Sequence, residues 1–104
     1  PMSELENLAN VEICVVIALR LKNERLRNGW SQATISQLTG IPLRTYKRFE
    51  SSGKGQTETL VAVLRALNKL RLLEILLPPP AIPTQRDSLA GRIGRLRKRA
   101  QQGA

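Results

Sequence analysis

At 104 residues with 41% hydrophobic residues, the chain can bury one modest core and is too apolar to be wholly disordered. It has no histidine and one cysteine, which excludes a disulfide framework and the usual imidazole or zinc chemistry, so neither a metal nor a cofactor is expected. Its net charge of +9 favours a polyanionic partner, which on charge alone fits nucleic acid, an acidic protein or an anionic membrane. In chain order, Ser3-Glu4-Leu5-Glu6 has capping-box spacing and opens a helical pattern that runs to Asn28. Leu5, Leu8, Val15, Leu19 and Leu26 recur at helical intervals and predict its buried stripe. The β-branched run from Val11 to Ile17 leaves a second reading, a break or short strand near residues 10–17. Cys14 is expected to be a small buried apolar residue. The longest apolar run, Ile13–Leu19, is too short to span a bilayer, and the acidic start is unlike a signal peptide. A cytoplasmic protein is therefore expected.

Gly29 predicts the end of that helix, and the stretch from Ser31 to Phe49 predicts two short helices hinged at Thr39-Gly40-Ile41. Ser31 is placed to cap the first, with Trp30 stapling onto Ile35. Gly40 suits a left-handed turn, and Pro42 pushes Ile41 into an extended state, so one helix cannot run through the join. The second helix sorts into two faces. Tyr46 and Phe49 point inward, with Ile35, Leu38 and Ile41 as expected neighbours. Leu43, Arg44, Lys47 and Arg48 point outward. A short helix buried on one face and cationic on the other suits a DNA major groove.

Residues 50–56 are a loop by composition, in which the hydroxyls and Lys54 either clamp a phosphate or merely connect. Thr57-Glu58 begins a helix with Leu60, Val63, Leu64 and Leu67 as its buried stripe, ending near Asn68-Lys69. Residues 70–77 are apolar almost all round. They predict a surface buried against a second copy or another protein, with Leu72, Ile75 and Leu76 as interface residues; over-hydrophobic packing or an exchanged strand are the alternatives. Residues 78–86 form a proline-rich spacer. Residues 87–104 carry a basic tail in which Asp87-Ser88 caps a short helix with Leu89, Ile93 and Leu96 on one face. Such a tail suits a solvated arm, a DNA-backbone arm or a segment that folds on a partner.

The residues from Gly29 to Gly55 resemble the helix-turn-helix of the Xre family, which includes lambdoid phage repressors, Cro proteins and HipB-type antitoxins. Ser31-Gln32, Ser36, Gly40, Ile41 and Phe49-Glu50 carry the resemblance, with Lys22 and Arg25 matching basic positions upstream. Pro42 and Thr34 depart from the pattern, standing where the family has a Ser or Thr cap and an acidic residue. The resemblance implies an all-α, five-helix lambda-repressor-like DNA-binding domain over residues 1–77. It further implies a homodimer on a palindromic double-stranded DNA operator. Arg44 and Arg48 share one face, and their forks match the O6 and N7 acceptors of guanine. Lys47 lies beside them to reach a base or phosphate, and Leu43 packs on a thymine methyl or on sugar. Gln32 is placed, as in the family, to donate to a phosphate or to brace a recognition-helix residue, and Thr45, Ser52 and Lys54 complete the backbone candidates.

An enzyme is not expected, because acids are few and no serine has a base beside it. A single-strand or RNA binder is disfavoured, since Trp30, Tyr46 and Phe49 all look structural. The expected function is a transcriptional repressor. On family habit and the appended tail, it is expected to be the autoregulating antitoxin of a toxin-antitoxin operon, partnered by a toxin such as a HipA-type kinase. A stand-alone phage- or plasmid-type repressor is the alternative.

Overall fold

The computed structural model describes residues 4–80 and 89–102, and among these the regular structure is entirely helical. A 3-10 turn at Glu4–Asn7 precedes helices α1 (Asn10–Arg27), α2 (Gln32–Thr39), α3 (Leu43–Ser52), α4 (Thr57–Ala66), α5 (Leu72–Leu76) and α6 (Leu89–Gln102). The chain divides into two compact units, the first ending at Leu72. None of the described helices is long and apolar enough to cross a membrane.

The first unit is built around α3, which packs against α1 and α2, while α2 also packs against α4. Its core is Leu21, Ile35, Ile41, Tyr46, Phe49, Val63 and Leu67, closed by Trp30, Leu60, Ala62, Leu64 and Ala66. The Tyr46 and Phe49 rings meet at a tilt, with centroids 6.4 Å apart.

Local chemistry sets the helix ends. The hinge between α2 and α3 follows the expected chemistry. Ser31 Oγ accepts from Thr34 N at 3.0 Å, and Gly40 closes α2 at φ 74°. Two hydroxyls then tie the turn together. Ser36 Oγ donates to Ile41 O at 2.6 Å, and Thr39 Oγ1 donates to Ile35 O at 2.7 Å while accepting from Ile41 N at 3.2 Å. At the end of α1, Gly29 N donates to Leu26 O and Trp30 N to Arg25 O, the paired bonds of a Schellman turn. Asn68, at φ 60°, ends α4 in the same way.

Several expectations are corrected. The first long helix does not include Leu5 or Leu8, and Ser3 lies outside the described residues. The helix starts at Asn10, because Glu12 reaches back to accept from Ala9 N at 2.7 Å and caps the helix there. The run from Val11 to Ile17 is helical, with no strand. The buried face of α1 is Ala18, Leu21 and Arg25, whereas Val15, Leu19 and Leu26 are exposed. Packing decides this, because α3 ends hard against α1. A Cβ on Gly53 would overlap the Cys14 carbonyl, so the end of α3 rests directly on the α1 backbone. Cys14 is itself exposed rather than buried, since its backbone makes the contact. Leu38 is exposed at 56%, because Ile35 and Ile41, with Val63 and Leu67, already fill the space under the hinge. The loop after α3 starts at Gly53 rather than Glu50, because Glu50 is buried in the last turn and holds it helical. In the tail α6 is present from Leu89, while the expected cap at Asp87-Ser88 lies outside the described residues.

Candidate nucleic-acid interface

Helix α3 divides cleanly between its two faces. Tyr46, Phe49 and Glu50 are buried, and Leu43, Arg44, Thr45, Lys47 and Arg48 are exposed. The inward face carries the one buried charge pair among the described residues, and it fixes the rotation of the helix. Arg25 of α1 donates from Nε to Glu50 Oε1 at 2.7 Å and from Nη2 to Glu50 Oε2 at 3.3 Å. Its third donor, Nη1, reaches the Trp30 carbonyl at 2.6 Å. Tyr46 OH donates to Glu50 Oε1 at 2.9 Å, and Gln32 Nε2 of α2 donates to Glu50 Oε2. One carboxylate thus accepts from α1, α2 and its own helix, and no buried side-chain nitrogen or oxygen among the described residues lacks a partner.

The electrostatics follow from this geometry. Burial alone would push the Glu50 carboxyl up, but hydrogen bonds from Arg25, Gln32 and Tyr46, with the charge of Arg25, hold it below the ordinary carboxylate range. Tyr46 is pushed well above an ordinary phenol by burial and by its bond to the Glu50 carboxylate. Burial opposes the charged form of Arg25, and Glu50 more than offsets it, leaving the guanidinium firmly protonated. Glu50 is the only acidic residue on α2 or α3, and it faces inward. The outer surface of these two helices is therefore free of negative charge.

On that surface Arg44 and Arg48 stand one turn apart, with Lys47 beside them, and none forms an ion pair among the described residues. Arg48 and Thr45 also line an open cleft of about 380 Å³ with Lys54, Gly55, Gln56 and Thr59. Of the four backbone candidates, Thr45 and Lys54 are brought together there with Arg48. The other two are engaged within the protein. Gln32 turns its amide to Glu50, which is the bracing role. Ser52 Oγ donates to Arg48 O at 2.6 Å and accepts from Lys54 N at 3.1 Å, capping the end of α3. Gln56 and Thr59 were not singled out by their sequence, since neither carries charge nor motif. Leu72, Ile75 and Leu76 lie on α5 at 48, 80 and 71% exposure. Among the described residues no group of three or more His, Cys, Asp or Glu could hold a metal ion.

No model of a known protein family matches the chain, and no curated protein matches it significantly.

Proposed function

We propose that this chain is a sequence-specific double-stranded DNA-binding repressor of the lambda-repressor-like type, with α2 and α3 as its helix-turn-helix and α3 as the reading helix. One observation carries the reading. Arg44, Lys47 and Arg48 form a cationic row with no ion pair among the described residues, on a helix whose other face is locked by four hydrogen bonds to Glu50. Rigid presentation of arginine forks is what recognition of guanine edges requires. Thr45 and Lys54, beside the cleft at the end of α3, would take the flanking phosphates, and Leu43, exposed at the start of α3, would meet a thymine methyl.

The partner side of the proposal is an antitoxin that represses its own operon and holds a toxin, such as a HipA-type kinase. The apolar surface of α5 and the basic helix α6 support it as protein-binding surface. The decisive experiment is fluorescence anisotropy on the chain's own promoter region against random DNA across a salt series, with and without the neighbouring gene product. Preference for an inverted repeat in the promoter supports the repressor. Equal affinity for both DNAs refutes it. Specific DNA binding with no effect of the neighbour, and no toxicity of that neighbour alone, leaves a stand-alone repressor.

A further inference from the structure

Helix α1 carries a second ordered stripe that its own core does not use. Glu12, Val15, Leu19, Lys22 and Leu26 are spaced alternately three and four residues apart, the interval of a two-helix seam. They lie roughly 100° around the helix from the buried face of Ala18, Leu21 and Arg25. Val15, Leu19 and Leu26 are 45, 53 and 53% exposed, and Val11 beside them is 56% exposed. Leu8 continues the spacing just before the helix cap. Three apolar residues at seam positions on a solvent-facing helix call for a covering surface.

The two charges in the stripe say what that surface is. Lys22 makes no ion pair among the described residues, and Glu12 uses only Oε1 for its bond from Ala9 N. A parallel pairing of two copies sets Glu12 against Glu12 and Lys22 against Lys22. An antiparallel pairing about a two-fold axis level with Ile17 sets Glu12 opposite Lys22 of the second copy, twice over. The same register sets Val15 opposite Leu19 and brings Leu26 to Leu8. The stripe is complementary to itself in one orientation only. Helix α5 is more exposed but shows no comparable self-matching, and the five cations of α6 repel a second copy. We propose that α1 is the dimerisation surface of this chain, paired antiparallel with α1 of a second copy through Val15–Leu19 and Glu12–Lys22 contacts. This stands apart from the DNA-binding reading, because it is tested without DNA.

Sedimentation equilibrium on the full chain tests it. Glu12→Lys and Lys22→Glu each oppose like charges twice and should weaken self-association by about tenfold or more. An equimolar mixture of the two single variants should form a heterodimer, and the double variant should regain wild-type association. Circular dichroism checks that each variant stays helical, because Glu12→Lys also loses the cap at Ala9. Cross-linking gives an independent readout in a Cys14→Ser background. Val15→Cys and Leu19→Cys chains should form disulfides with each other faster than either does with itself. A monomeric wild type at millimolar concentration overturns the proposal. So do single reversals that dimerise as well as wild type, or cysteine variants that link to themselves as fast as to each other. Loss of dimer on truncation after Pro80, with the α1 variants unchanged, also overturns it and assigns association to the tail.

Discussion

Arg25 and Glu50, 25 positions apart in the chain, meet at 2.7 Å with side chains only 7 and 5% exposed. The pair joins the last turn of α1 to the last turn of α3. Each partner needs the other, because an unpaired charge at that burial is costly. Glu50→Ala should destabilise the first unit by about 3–5 kcal/mol, since it strands Arg25 and orphans Tyr46 OH and the Gln32 amide. Urea denaturation followed by circular dichroism measures it, and a loss under about 1 kcal/mol would show that the network does not hold α3.

The same network predicts a pH response. The folded pKa of Glu50 lies below its unfolded value, so its stabilisation is complete above the ordinary carboxylate pKa of about 4.3. That stabilisation should fade as pH falls through the lower folded value. Tyr46 shifts the other way. Its raised pKa gives stability that is whole below the ordinary phenol value of about 10 and is lost as pH rises beyond it. Thermal melts of wild type and Glu50→Gln across the acid range check the first limb. If both lose stability in parallel, Glu50 is not its source.

Gly53 is constrained twice over. Its φ of 73° strains any L side chain, and a Cβ there would overlap the Cys14 backbone. Gly53→Ala should therefore cost well above the ~1 kcal/mol of an ordinary left-handed glycine replacement, and should separate the end of α3 from α1. Gly40→Ala is the control, having the same φ and open space around it. Equal losses at the two glycines would show that the contact with Cys14 is soft.

Under the proposed function, Arg44→Ala and Arg48→Ala should each cost about 1–3 kcal/mol on the preferred operator and relax base preference there. Lys54→Ala should weaken all sequences alike and flatten the salt dependence by about one unit. Anisotropy titrations on operator and random duplexes separate the two behaviours. If the arginine variants lose equally on both DNAs, they act on phosphates rather than bases.

Ser31 supplies the one side-chain N-cap on the α2–α3 hairpin. Ser31→Ala should lower stability by about 0.5–2 kcal/mol with the core intact, and amide exchange should rise first at Thr34, the donor to Ser31.

Local chemistry was legible wherever one residue forces one backbone state. Gly29, Gly40 and Ser31 marked helix ends without help from distant groups, and Pro42 opened α3 where its fixed φ demands. The inward–outward split of α3 was equally plain, because Tyr46 and Phe49 are the only large apolar side chains after Leu43. The buried face of α1 was not. Ala18, Leu21 and Arg25 face inward while Val15, Leu19 and Leu26 point to solvent, because the approach of Gly53 and the reach of Glu50 to Arg25 set which face meets α3. Periodicity finds greasy residues but not which greasy stripe meets the core.

The sequence by itself determined that two short helices flank Gly40, where the hinge falls, and that Arg44, Lys47 and Arg48 share an outward face. Those follow from backbone preferences and from spacing along one helix. Only the tertiary structure decided that Arg25 is a buried strut rather than a surface cation, and that Gln32 and Ser52 are engaged by their own neighbours. The reason is physical: a charge or amide declares its role through the group it meets, and Glu50 reaches Arg25 only once α1 and α3 have packed.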